Sequence, residues 1–155
     1  MQWQHNMENK EINQDAYLIE SIFLVESNYM RLPSIDFSNP INSILSVNID
    51  TGGDLMGEDG RFGVLLTVSI KGQIESVKVY EITVRMIGMF VKIGSPEPPL
   101  EIFKKINAPA IIYPYIREHV HNLNNKAGIN NIILPPVNFY KTEIVTYPSM
   151  PAIPQ

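Results

Sequence analysis

Histidines and acidic residues are the side chains of this sequence whose types could bind a metal. His119 and His121 are two residues apart in a segment with helical periodicity, so they point to different sides and cannot share one ion. His5 lies in a polar N-terminal stretch. The acids of loop 51–60 (Asp54, Glu58 and Asp59) lack the alternating ligand spacing of a calcium loop. The glycines of that loop precede a strand and not a helix, unlike a dinucleotide-binding turn. We therefore expect no metal and no cofactor.

Asp50, Thr51 and Gly52 follow an apolar strand, where an aspartate could act in acid–base catalysis. Two such carboxylates that share a proton form the catalytic pair of aspartic proteases, and a homodimer would supply both. The segment 86–88 is similar to the second apolar element of those enzymes. However, Asp-Thr-Gly-Gly is also ordinary turn chemistry at a strand end, and no flap is evident. We predict that the protein is not an enzyme and keep a protease as a remote alternative.

Composition bounds the class of protein. The chain has 155 residues, of which 45% are hydrophobic and 18% charged, which suits one domain with a real core. Its net charge is −4, and no basic stripe indicates a nucleic-acid partner. It has no cysteine, which excludes disulfides. Residues 1–15 lack the apolar core of a signal peptide, and no apolar run is long enough to span a membrane. These features predict a cytoplasmic protein.

Four segments have the composition and alternation of β-strands: 16–27, 41–50, 62–71 and 77–93. Gly88 indicates a bend in the last of them. The loops between most strands are short, and a helical region follows. The order β-β-β-β-α predicts an α+β fold with a four-stranded antiparallel sheet and a long C-terminal helix on one face. We assign residues 1–15 to a flexible lead-in, 16–140 to the domain and 141–155 to a Pro-rich tail.

The first strand is apolar on both of its predicted faces, which are formed by Tyr17, Ile19, Phe23 and Val25 and by Leu18, Ile22 and Leu24. A strand of an antiparallel sheet that has one solvent-exposed face should alternate between apolar and polar residues. One side can pack on the helix. The other side calls for a second copy of the sheet, which predicts an oligomer.

Pro109 suits the first turn of a long helix, which is predicted to end before Gly128. Residues 100–106 are predicted to form a short helix before it. Pro114 lies early enough to bend the helix without breaking it. The helix has an apolar stripe with helical spacing: Ile112, Tyr115, Ile116, Val120 and Leu123.

This region resembles the SecB family of export chaperones. The resemblance lies in Pro109, Tyr113-Pro114-Tyr115, Arg117-Glu118, Gly128 and the segment Leu134-Pro135-Pro136-Val137-Asn138-Phe139. The matching residues are frequent between 108 and 140 and fewer in the part of the chain before residue 108. The resemblance implies a non-enzymatic chaperone that holds unfolded or precursor polypeptides (its clients) in apolar grooves. It also implies a homotetramer, a dimer of dimers whose helices meet at the central interface.

The resemblance and the abundance of methionine and aromatic residues together predict two sets of site residues. Methionines and aromatics make surfaces that adapt to varied apolar ligands, and the groove of the family passes the corner at 137–139. The predicted client-binding residues are Phe37, Met86, Met89, Phe90, Val137, Phe139 and Tyr140. The predicted oligomer-interface residues are Ile112, Tyr115, Ile116, His119 and Asn122. An adaptor that uses the same fold to bind one dedicated partner is the alternative function.

The tail departs from the family, whose members usually carry a second helix and an acidic tail used with the SecA motor. After Tyr140 this chain has several prolines and one acid, Glu143. We therefore do not expect the usual interaction with SecA. The apolar residues of the tail suggest instead that it lies in the groove as a built-in client mimic: Ile144, Val145, Tyr147, Met150 and Ile153.

Overall fold

A computed structural model describes residues 15–52, 59–141 and the backbone of 145–148. The five strands are β1 (Ala16–Arg31), β2 (Asn42–Asp50), β3 (Arg61–Ile74), β4 (Val77–Ile93) and β5 (Val145–Pro148). They form one antiparallel sheet in the order β1-β4-β3-β2-β5. The predicted four-stranded sheet with a helix on one face is confirmed, and β5 is an addition. The predicted lead-in up to residue 14, and Asp54 and Glu58 of the acidic loop, lie outside the described residues.

The core lies between the helix and one face of the sheet. Alternate residues of β3 and β4 face it, in cross-strand pairs such as Phe62 with Phe90 and Ile70 with Ile82. Four aromatic rings pack together at one end of this core, where Phe103 meets Phe90 edge-on at 5.4 Å and stacks on Tyr17 at 3.8 Å. This alternation is the period of two that the sequence predicted for these strands.

β1 does not keep a simple alternation, because it contains two β-bulges. Its register with β4 shifts between Ile19 and Ser21 and again between Leu24 and Glu26. Each bulge adds one residue to β1 relative to β4. The helix-facing residues, read from their β4 partners, are Tyr17, Ile19, Ile22, Leu24, Ser27, Tyr29 and Arg31. The predicted grouping of Phe23 with Tyr17 and Ile19 is therefore wrong, since Phe23 lies on the opposite face.

The helical region begins at Leu100, where the sequence indicated a short helix before the main one. A helical turn, α1 (Leu100–Ile102), runs through a π-helical turn (Phe103–Asn107) into α2 (Ala108–Lys126). Pro109 is the second residue of α2 and lies in its first turn, as predicted. The missing N–H of Pro109 comes just after the π-helical turn. Prolines and π-helical turns are both common causes of irregularity in a helix. α2 continues past Pro114, and Gly128, with φ of +71°, follows its end as predicted.

Gly88 does not lie at a β-bulge. The register with β3 continues without a shift from Arg61 opposite Val91 to Gly72 opposite Tyr80. A Cβ at Gly88 would lie 2.7 Å from the Phe90 ring and 2.9 Å from Cδ1 of Ile112 on α2. Glycine is therefore needed here because the helix packs closely on the sheet, and the predicted bend stays a prediction.

Candidate functional site

The predicted client-binding residues divide according to their exposure. Phe37, Met86, Phe90 and Phe139 are buried in the core cluster, and Phe90 is fully inaccessible. Met86 and Phe90 are even-numbered residues of β4, all of which face the helix between Tyr80 and Phe90. Phe139 packs edge-on against Tyr113 at 5.8 Å. These four side chains therefore offer little surface to a client in the folded chain, and their role in client binding stays a prediction.

Met89, Val137 and Tyr140 do reach the surface. Tyr140 is 79% exposed, and its backbone N–H donates to Oδ1 of Asn138 at 3.0 Å in a turn that fixes the corner. Val137 is partly buried against the core. Met89 lies on the face of the sheet that points away from the helix. Ser21 on β1 and Gly63 on β3 lie directly opposite Met89. The next positions along this face include apolar residues: Leu18, Phe23, Leu65, Ile87 and Val91.

The segment 129–140, which we call the corner segment, folds back along α2. Nδ2 of Asn124 donates to the carbonyl of Ile132 at 2.7 Å, and its Oδ1 accepts from the Tyr29 hydroxyl at 2.8 Å. The Tyr113 hydroxyl donates to the carbonyl of Pro135 at 2.5 Å. Burial raises the pKa of Tyr29 and of Tyr113 to about 12, so both hydroxyls keep their protons at neutral pH.

A groove of about 230 Å³ lies between α2 and the corner segment. Ile133 forms part of its wall and is 60% exposed. The other lining residues are Arg117, Glu118, Val120, His121, Ile132 and Leu134. Sequence reasoning did not select Ile133, because the run of three apolar residues 132–134 does not reveal which of them faces outwards. Together with Tyr140, Ile133 offers apolar surface that an extended chain could cover.

The predicted interface residues of α2 also divide. Ile112 and Ile116 are fully buried against the sheet and have no surface left for another subunit. Tyr115 is 51% exposed, and Asn122 is exposed beside Glu118, to which its amide donates. His119 is half-buried and its Nε2 lies 2.8 Å from Oγ of Ser27 on β1. Tyr115, His119 and Asn122 therefore stay as predicted interface residues.

Within residues 15–52 and 59–141, β1 carries the largest group of exposed apolar side chains. Five of its sixteen residues are large hydrophobics that are 45–52% exposed: Leu18, Ile19, Phe23, Leu24 and Val25. β1 is an edge strand of the sheet, so one row of its backbone N–H and C=O groups has no partner strand among the described residues.

The geometry gives no support to acid–base or metal chemistry. The Asp50 carboxylate accepts a hydrogen bond from the N–H of Gly52 at 3.1 Å, as expected of an ordinary Asx turn. His119 and His121 face different partners, Ser27 and Asn125. Within the part of the chain that the structure describes, no group of three or more histidine or acidic side chains could hold a metal ion.

Comparison with known proteins decides the family. Residues 19–142 match the family model described as preprotein translocase subunit SecB. The chain belongs to the SecB family. It is 31% identical over 127 residues to the protein-export protein SecB of Dechloromonas aromatica, covering 77% of this chain and 83% of that protein. It is 30% identical over 135 residues to the protein of the same name from Aromatoleum aromaticum, covering 83% and 85%. As a member of this family, the protein is not an enzyme.

The fold is also found in a solved structure, that of the Mycobacterium tuberculosis SecB-like chaperone Rv1957 in complex with a ChAD peptide from the Rv1956 HigA1 antitoxin. That structure aligns with a TM-score of 0.65 and 17% identity over 79% of this chain and 91% of the other. Among the described residues, no helix is long and apolar enough to cross a membrane.

Proposed function

We propose that this protein is a chaperone for protein export that holds unfolded polypeptides in the cytoplasm and assembles as a tetramer. The observation that carries the proposal is the amount of apolar surface left uncovered on one copy of the chain. It lies in two places with different geometry: along β1, and on the corner segment beside α2. Exposed apolar side chains that are grouped in this way can mark interaction sites in folded proteins.

β1 is suited to self-association. It is a sixteen-residue edge strand with exposed apolar side chains on both faces, so a second copy placed along it would cover backbone and apolar side chains together. Tyr115, His119 and Asn122 on α2 would then join pairs of dimers. The test is the solution mass by light scattering. We expect four times the 17.6 kDa of one chain, and a smaller assembly for Leu24→Glu, which places a charge in the proposed contact.

The corner segment is suited to client binding. Ile133 and Tyr140 are 60% and 79% exposed, so most of each side chain is still available for burial by a client. Full burial of a large apolar side chain contributes about 1.5–3 kcal/mol, so covering the exposed part of Ile133 would contribute about 1–2 kcal/mol. Several such contacts give useful affinity with little dependence on the sequence of the client.

The experiment compares Ile133→Ser/Tyr140→Ser with the wild-type protein and with Val77→Ser. Val77 is 57% exposed at the β3–β4 turn and serves as a matched control. Aggregation of an unrelated unfolded protein and binding of a reduced, carboxymethylated protein are measured. We expect the double variant to bind about tenfold or more weakly and the control to bind like the wild type. A wild-type protein that binds no unfolded polypeptide would refute the proposal.

A dedicated adaptor is the second candidate, favoured by one observation. The SecB-like protein of known structure is in complex with a peptide from a single antitoxin. A chain that binds one such partner, and leaves the aggregation of unrelated unfolded proteins unchanged, would be an adaptor on the same fold. The aggregation assay above therefore separates the two functions.

A further inference from the structure

Arg117 differs from the other arginines of the chain in having no structural partner. The chain has four arginines. Arg61 and Arg85 form ion pairs with glutamates at 2.9 and 3.2 Å, and Arg31 donates to four carbonyls. Arg117 is exposed, and within residues 15–52 and 59–141 it has neither an ion pair nor a hydrogen bond. Its guanidinium is therefore free to bind a ligand.

α2 presents Arg117 to the groove between the helix and the corner segment. Tyr113 and Asn124 bond to carbonyls of that segment, at Pro135 and Ile132. Arg117 lies four residues after the first of them and seven before the second, so it is on the same face of the helix, and it lines the groove. Burial raises the pKa of Tyr113, and the charge of Arg117 acts in the opposite direction. The guanidinium is therefore close to the end of the groove at Pro135.

The groove combines exposed apolar surface with hydrogen-bond donors. Ile133, on the corner segment, is 60% exposed. On the side of α2, Nε2 of His121 lies 3.3 Å from Nδ2 of Asn125, an atom that can only donate, so Nδ1 of the neutral His121 ring carries the proton. Arg117 adds its own N–H groups, which are donors only. A ligand that matches this groove therefore has an apolar part and a hydrogen-bond acceptor.

Glu118 is the acidic side chain among the lining residues, and its carboxylate has a partner elsewhere on the helix. Its Oε1 accepts a hydrogen bond from the amide of Asn122, one turn further on. Adjacent residues of a helix are rotated by about 100° about its axis, so Glu118 and Arg117 do not face each other. No ion pair joins the two in the part of the chain that the structure describes. The charge of Arg117 is thus not compensated within the groove.

The occupant that fits these groups is an extended segment with an apolar and an acidic side chain on one face. Alternate residues of an extended chain face the same side, about 6.5–7 Å apart. An apolar side chain could cover Ile133 while an acidic one two residues away reached Arg117. A carboxylate only accepts hydrogen bonds, and its two oxygens match the fork of a guanidinium. A lysine at the same place would be repelled by Arg117.

We propose that Arg117 makes the groove select client segments in which an acidic side chain lies two residues from an apolar one. The inference rests on the proposed function, because it requires that clients bind beside the corner segment. It adds a charge preference, which apolar contacts alone do not give.

The test uses three unstructured polypeptides that differ at one position of a repeat. The repeat is Leu-Ser-X between Gly-Ser spacers, and X is Gln, Glu or Lys. Binding is measured by isothermal titration calorimetry for the wild type, Arg117→Gln, Arg117→Glu and Lys126→Gln. Lys126 is the matched control, since it is exposed on the same helix and lies about 14 Å further along its axis. Circular dichroism verifies that each variant is folded.

We expect the wild type to bind the Glu polypeptide about threefold more tightly than the Gln polypeptide, and the Lys polypeptide more weakly than either. Arg117→Gln should abolish the difference between Glu and Gln, Arg117→Glu should reverse the order of Glu and Lys, and Lys126→Gln should keep the wild-type order. The net charge of −4 repels acidic chains at long range, so a preference for Glu must come from a local contact. High salt should reduce the preference.

The results that would overturn the inference are distinct from those that would overturn the proposed function. If the wild type binds all three polypeptides equally, or binds reduced, carboxymethylated protein but none of the three, the charge preference is absent and the chaperone function stands. A preference for Glu that persists in Arg117→Gln, or that Lys126→Gln abolishes equally, would show that Arg117 is not its source. If the wild type binds neither the three polypeptides nor the carboxymethylated protein, the inference and the proposed function both fail.

Discussion

The close packing of α2 on the sheet at Gly88 leads to a quantitative prediction. In Gly88→Ala, the new Cβ would lie 2.7 and 2.9 Å from two atoms of the Phe90 ring and 2.9 Å from Cδ1 of Ile112. All of these atoms belong to fully buried side chains. Atoms at such distances overlap, so the helix or the ring must move.

The magnitude follows from two opposing effects. Overpacking of a core costs about 1–3 kcal/mol, while replacing glycine by alanine within a strand gains about 0.5–1 kcal/mol in backbone entropy. We therefore expect Gly88→Ala to lower the free energy of unfolding by about 0.5–2 kcal/mol. Ile112→Val removes Cδ1 and alone costs about 0.5–1.5 kcal/mol. In the double variant the overlap with Ile112 is absent, so the two costs should not add.

The assay is urea unfolding of the wild type, both single variants and the double variant at one protein concentration. We expect the double variant to be more stable than the sum of the single effects by at least about 0.5 kcal/mol. Gly52→Ala is the control, because its Cβ would lie 4.0 Å from the nearest atom, Oδ1 of Asp50. Additive costs, within about 0.3 kcal/mol, would show that helix contact is not the reason for glycine at position 88.

Three further predictions concern the polar groups of the core. Burial raises the pKa of Tyr80 from 10.0 to about 12. Its protonated hydroxyl therefore contributes fully to the stability of the folded state below pH 10, and this contribution is lost as the pH rises to 12. Between pH 10 and 12 the free energy of unfolding should therefore fall less steeply in Tyr80→Phe than in the wild type, by about 1.4 kcal/mol per pH unit. Urea unfolding at each pH measures this difference. Asn124→Ala leaves the Tyr29 hydroxyl and the Ile132 carbonyl without their partner and should destabilise by about 2–4 kcal/mol, as measured by thermal unfolding. Arg31→Lys cannot donate to all four of the carbonyls that Arg31 reaches, so amide hydrogen exchange in 32–38 should accelerate while that of β3 stays unchanged.

The part of the fold that depends on local pattern could be predicted from the sequence. β4 begins and ends at the predicted residues, since it is long, alternates regularly and is bounded by turns. The bulges of β1 could not be predicted. The sequence of one strand does not show at which residue its partner strand has one residue fewer. Because the bulges were not predicted, Phe23 was assigned to the wrong face. The role of Gly88 likewise depends on the helix above it, which the strand sequence does not contain.

The site was predicted less well than the fold, for a related reason. Methionine and aromatic residues occur both in cores and on adaptable surfaces, so residue type alone did not separate Phe90 from Met89. Because adjacent residues of a strand face opposite sides, at most one of the two could lie on a given surface. Which of them is buried depends on the face that α2 covers. Ile133 was missed because its neighbours are equally apolar and only the return of the chain along α2 distinguishes them.

The two bulges of β1 determine where this strand tolerates a change in length. Deleting Glu20 or Val25 would turn a bulge into a regular ladder and leave every other residue opposite its present β4 partner. Deleting the single residue Phe23, between the two bulges, would instead shift its neighbours by one position and exchange their faces. Shortened relatives with an intact domain should therefore have lost a residue at one of these two points.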